Sequence, residues 1–152
     1  MNKGAKFSEC GKYRFWLKRI WDESKPFIML IGLNPSTANA DTDDRTIESI
    51  IRIMTHNGYG GFFMMNIFPF IATKPKHLQI DAESQKKNVF AIQLAYVDCQ
   101  DVCFCWGNFK VVGDRGAALI KMFPDALCFK KNKNGSPRHP LYLKSNHQLI
   151  KF

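Results

Sequence analysis

The stretch FIMLIGLNPS, residues 27–36, is an apolar run that breaks at Asn-Pro. A continuous run of this length bounded by a turn signal reads as a strand buried on both faces, entering a turn at Asn34 and Pro35. Three similar runs follow: Phe62–Phe68 (FFMMNIF), Asp101–Trp106 (DVCFCW) and Ala126–Phe129 (ALCF). Upstream, Tyr13–Trp21 (YRFWLKRIW) alternates enough for a half-buried strand. Between the runs lie helical patterns. Asp43 or Asp44 can cap a helix reaching about Asn57, in which Ile47, Ile50, Ile51 and Met54 recur at helical spacing until Gly58-Tyr59-Gly60-Gly61 stops it. Further helices are expected over Ala82–Val97 and about Gly113–Met122. Short buried strands separated by helices predict an α/β fold: three layers, α/β/α, around a central, mostly parallel sheet of about four strands.

Composition sets the frame. The 152 residues are 45% hydrophobic and include 13 Phe and 3 Trp, enough for a core and far from a disordered chain. One domain over residues 1–152 is the economical expectation. No apolar run approaches the ~20 residues of a membrane span, and the polar start MNKGAKFSECGK lacks the apolar segment of a signal peptide, so a cytoplasmic protein with no membrane partner is expected. A monomer is the expected oligomeric state. The five cysteines are odd in number and form no CxxC pair; they read as free thiols, with Cys103 and Cys105 on one face of a strand. No metal or other cofactor is expected. The triplet Asp41, Asp43 and Asp44 is the one cluster suited to a hard cation, and capping or loop solvation accounts for it better.

The 22 Lys+Arg outnumber the 13 Asp+Glu, for a formal charge of +9. The excess is concentrated. Between Ala126 and Phe152 stand Lys130, Lys131, Lys133, Arg138, Lys144 and Lys151, without one acidic residue. Such a tail suits either a phosphate-facing surface or a solvated basic face.

In sheets of this kind ligands bind beyond the carboxyl ends of the strands. That directs attention to Asn34 with Pro35, to Asn66, to Trp106 with Gly107, and to the segment around His139. An amide inside an apolar strand, as at Asn66, must find partners or cost ~1–3 kcal/mol in desolvation; it is a satisfied core amide or a reader of a ligand edge. His139, in the rigid turn GSPRHP, is either structural or functional.

In order along the chain, GLNPS after a strand, FFMMN, FCWG and RHPLYL resemble blocks of the uracil-DNA glycosylase superfamily, the first being similar to its GINPG and GMNPG water-binding motifs. The set spans Phe27 to Leu143. The fuller pattern LNPSTA, DDRT, WG and PRHPLYL is closer still to an uncharacterised bacterial and phage family, a domain of unknown function. The superfamily resemblance implies a glycosylase-like fold and cleavage of a sugar–base bond in DNA, single- or double-stranded. Asn34 would hold the attacking water, Asn66 would pair with the base edge, and His139 would donate a hydrogen bond to the base oxygen. Pro35, Phe68 and Phe70 would flank the base. Leu143 would stand in the wedge position with Tyr142 beside it, although residues 141–143 also read as an alternating strand.

The chain departs from that pattern at three places: Leu141 where a phosphate-binding Ser is usual, Ser36 for the last Gly, and Asn34 where the most active enzymes carry an acid. An amide can orient water but not deprotonate it; Asp41, Asp43 and Asp44 follow closely and could supply a carboxylate base, Asp43 and Asp44 being the candidates, with helix capping and loop solvation the favoured account of each. Ser36, Lys130, Lys131, Lys133, Arg138, Tyr142, Leu143 and Lys144 would meet nucleic acid. A DNA base N-glycosylase acting on a modified or damaged base is therefore the leading expectation. The alternatives are a non-catalytic nucleic-acid-binding protein on the same fold and an N-glycosidase of free nucleosides or nucleotides.

Overall fold

The computed structural model describes residues 1–152. The fold is α/β. Seven strands form one sheet: β1 (Asn2–Phe7), β2 (Arg14–Ile20), β3 (Phe27–Gly32), β4 (Gly61–Asn66), β5 (Asp101–Phe104), β6 (Leu127–Cys128) and β7 (Ile150–Lys151). Their spatial order is β1-β2-β4-β3-β5-β6-β7. Three helices connect them: α1 (Arg45–His56), α2 (Ala82–Val97) and α3 (Gly113–Met122).

The sheet is larger and more mixed than expected. The four apolar runs form β3 to β6, whose three mutual pairings are parallel. Antiparallel pairings of β1 with β2, β2 with β4, and β6 with β7 extend this set on both sides. A sheet of about four mostly parallel strands is thus not what forms. The reason is local. NKGAKF in β1 is an exposed edge with no apolar alternation, and β7 is two residues long, so both exist through ladder bonds to a neighbour rather than through a pattern of their own.

Strand alternation divides the core between the two faces. Ile28, Leu30, Phe62, Met64, Cys103 and Cys105 face α1, packing on its buried Ile47, Ile50, Ile53 and Met54. Met29, Ile31, Met65, Val102 and Phe104 face Ile92 and Ala95 of α2 and Leu119 of α3. Cys103, Cys105 and Cys128 are buried free thiols. No helix is long and apolar enough to cross a membrane.

The chain leaves β3 for β4 on one side and later returns to β5 on the other. The carboxyl ends of β4, β3 and β5 therefore surround a switch point, where a crevice opens in open α/β sheets. Because β2 is antiparallel to β4, its first residue, Arg14, lies at that same end, with its N–H bonded to Pro69 O at 2.9 Å.

Candidate functional site

A cavity of about 300 Å³ fills the switch point and is lined by Arg14, Gly32, Asn34, Pro35, Ser36, Asp44, Thr46, Asn66, Trp106, Phe109 and His139, among others. This volume is at the small end of the range for small-molecule sites, roughly 300–1,000 Å³. A larger groove beside Phe15, Trp16, Phe63, Phe90 and Leu94 lies on the α2 side and is mostly apolar. The small cavity gathers the polar side chains at the strand ends.

Asn66 closes β4 and is only 2% exposed. Its backbone carbonyl accepts from Asn88 Nδ2 of α2 at 2.7 Å, and Gln85 and Asn88 both donate to the next carbonyl, Ile67 O, at 3.2 and 3.1 Å. Those bonds pin the strand end, while the Asn66 side-chain amide bonds to no protein group and borders the cavity. Room for that amide comes from Gly32 on the adjacent strand. A Cβ there would stand 2.8 Å from Asn66 Oδ1 and 2.7 Å from Met64 Cε.

Asn34, half-buried, donates through Nδ2 to Ala72 O at 2.7 Å and to Pro35 O at 3.0 Å. Its nitrogen is thereby committed to the loop, leaving Oδ1 as an acceptor suited to orienting a water. Asp44 caps α1, accepting from Ile47 N at 2.9 Å, and also borders the cavity.

His139 arrives from the C-terminal segment. A short hairpin with Gly135 at φ 85° and a bond from Gly107 N to Pro137 O at 2.8 Å bring it over the strand ends. Leu141 N donates to His139 Nδ1 at 3.2 Å, which places the neutral ring's proton on Nε2. Solvent reaches part of the ring, yet the surrounding wall lowers its pKa from the ordinary 6.5 by desolvation, with the Asp44 carboxylate pulling the other way.

The expected set is only partly gathered. Asn34, Asn66, His139, Asp44, Pro35 and Ser36 share the cavity. Asp43 does not line it: Oδ1 pairs with Arg19 Nε at 2.6 Å and Oδ2 with Lys3 at 3.3 Å, so its carboxylate is consumed in bracing β2 against the loop. Phe68 is 1% exposed in the core facing α2 and α3, and Phe70 packs edge-on against Tyr13; the chain leaves the strand after Asn66 and bends at residues 67 and 68, and neither ring lines the cavity. The aromatic rings that do line it are Trp106 and Phe109.

Residues 141–143 form a turn rather than a strand. Leu143 is half-buried against the core facing α1, so it is no free wedge. Tyr142 is 86% exposed and sits at φ 69°, a left-handed conformation uncommon for a non-glycine residue. Lys130, Lys133, Arg138 and Lys144 are exposed and form no ion pair, whereas Lys131 lies over the Phe152 ring at 5.3 Å.

Sequence reading missed Arg14, Thr46, Thr73 and Phe109. A basic residue opening an otherwise apolar alternation was the available signal for Arg14. Nothing marked the other three.

A family model described as "Protein of unknown function (DUF1643)" matches residues 14–141. No curated protein and no solved structure matches the chain.

Proposed function

The chain belongs to the family of proteins of unknown function DUF1643, and from that premise and the cavity's chemistry we propose that it binds a nucleobase and hydrolyses its bond to the sugar. The reading is that of a DNA base N-glycosylase related to the uracil-DNA glycosylase superfamily. The observation that carries it is the Asn66 amide, 2% exposed and bonded to no protein group, on a cavity sized for one heterocycle. The amide is open to the cavity, the fully buried unpaired side-chain atoms being Arg14 Nε and Asn88 Oδ1, and its free donor and acceptor complement those of a base edge. Trp106 and Phe109 supply flat apolar surface beside it.

In the proposed reaction a water oriented by Asn34 Oδ1 attacks C1′ of the sugar. The C–N bond breaks with its electron pair departing on the base, and the water's proton passes to Asp44. The neutral His139 Nε2–H donates to the base oxygen where negative charge accumulates. Asp44 is the one carboxylate bordering the cavity, and it takes the place of the acid that Asn34 lacks.

The test is release of free base and formation of abasic sites from oligonucleotides carrying a panel of modified bases. Asp44→Asn keeps an N-cap of similar quality while removing the base, so turnover should fall by at least ~10²-fold with the helix intact. Asn66→Ala should abolish binding as well. Full turnover in both variants would dismiss the mechanism. The exposed, unpaired Lys130, Lys133, Arg138 and Lys144 favour a second reading, nucleic-acid binding without catalysis. Salt-sensitive DNA binding with no base released from any substrate distinguishes it.

A further inference from the structure

Two arginines of β2 are buried, and they are treated differently. Arg19, fully buried, spends its donors on the Asp43 carboxylate and on the carbonyls of Lys18, Asn39 and Thr42. It is a satisfied brace. Arg14 is 3% exposed, and its only side-chain hydrogen bond is from Nη1 to Ala38 O at 2.9 Å. Its Nε is buried without a partner, and no carboxylate lies within 4 Å. Desolvation pulls its pKa down to about 10, with the Asp44 carboxylate opposing and the Arg19 charge adding to the fall. A buried, uncompensated guanidinium is costly, and Arg14 borders the cavity.

The first turn of α1 borders the cavity too, at Thr46. This 12-residue helix directs its positive dipole end there, with Asp44 as its N-cap and Thr46 in its first turn. A guanidinium without an ion pair beside a helix N-terminus suits a tetrahedral oxyanion, which here would share the cavity wall with the Asp44 carboxylate that caps the helix through Ile47 N.

We infer that the cavity holds a phosphate group on Arg14 and the first turn of α1, making its ligand a nucleotide rather than an uncharged nucleoside. The identity of the remainder of the ligand rests on the nucleobase reading above. The phosphate is either that of a free mononucleotide or that of an extruded nucleotide in a strand.

Calorimetric titration separates these cases, using inorganic phosphate, the common 2′-deoxynucleosides, their 5′-monophosphates and a short single-stranded oligodeoxynucleotide. At least one monophosphate should bind ten times more tightly than its nucleoside. Arg14→Gln should erase that increment and leave nucleoside affinity within twofold. Thr46→Val, which removes only a surface hydroxyl of the first turn, should reduce the increment severalfold and keeps the test usable if Arg14→Gln fails to fold. Equal affinity for nucleoside and monophosphate in the unaltered protein, or an increment that survives both variants, overturns the phosphate site and leaves the nucleobase reading standing. Arg14-dependent binding of inorganic phosphate with no nucleoside or nucleotide bound does the reverse. Silence of every probe overturns both. Arg14-dependent binding of the oligonucleotide alone supports the phosphate site and assigns the phosphate to a strand.

Discussion

Replacing Arg14 by methionine should leave stability almost unchanged, although Arg14 is among the least exposed residues of the chain. Burial, with the Arg19 charge adding to it and Asp44 opposing, holds its pKa well below the ordinary value, at about 10, a penalty on the charged form on the order of 3 kcal/mol at 1.36 kcal/mol per unit. Methionine removes that cost and fills most of the same volume. It also forfeits the bond to Ala38 O, a charged hydrogen bond of about 1.5–3 kcal/mol. The two nearly cancel, giving a net change within about 1 kcal/mol of zero. Arg19→Met is the control. It leaves Asp43 with only Lys3 and takes a donor from the carbonyls of Lys18, Asn39 and Thr42, and breaking a largely buried pair of this kind costs about 3 kcal/mol. Urea unfolding of both variants, compared at equal m-value, reads the contrast directly. If Arg14→Met loses as much as Arg19→Met, Arg14 is a structural brace like its neighbour and the argument for an uncompensated charge collapses.

Gly32→Ala presses a Cβ against Asn66 Oδ1 and Met64 Cε; about 1–3 kcal/mol of overpacking is partly offset by about 0.5–1 kcal/mol of reduced unfolded-state entropy. The modest shift in urea midpoint should accompany a tenfold or greater loss of nucleobase affinity, and unchanged affinity would mean the Asn66 amide is not the reader. His139 has its folded pKa below 6.5, so the unfolded chain binds more protons in that window. Its contribution to stability should be complete above 6.5 and fade as pH falls through the lowered folded value, a slope that His139→Asn should flatten in a series of urea midpoints. Among the thiols, exposed Cys10 has its pKa lowered by the Ser8 hydroxyl, while burial raises those of Cys103 and Cys105, the latter to about 12. Mass spectrometry after brief alkylation of native protein should find Cys10 modified and Cys103, Cys105 and Cys128 untouched until denaturant is added.

The bounds of α2 and α3, and the start of α1 at Asp44, match the sequence reading. The signals are local: a capping carboxylate, a 3.6-residue period and a glycine stop in α1, and a capping carboxylate, Asp81, in α2. The candidate site was half legible for the same reason. Asn34, Asn66 and His139 each announce themselves as polar groups in apolar or rigid surroundings. Phe68 and Phe70 were misassigned because aromatic composition says nothing about which face a ring takes. Asp43 and Asp44 are adjacent and chemically identical in sequence, but only the chain's path decides that one pairs with Arg19 and the other caps a helix beside the cavity.

The sequence by itself determined the α/β class, the four buried strands and the polar residues at their ends, because periodicity and capping act within a few residues of chain. Only the tertiary structure decided that β1, β2 and β7 add to that set antiparallel, that Arg14 borders the cavity without an ion-pair partner, and that Asn34, Asn66 and His139 share a single pocket. Those outcomes depend on contacts between segments tens of residues apart, where loop closure and the packing of the two sheet faces choose the partners, and no local pattern encodes them.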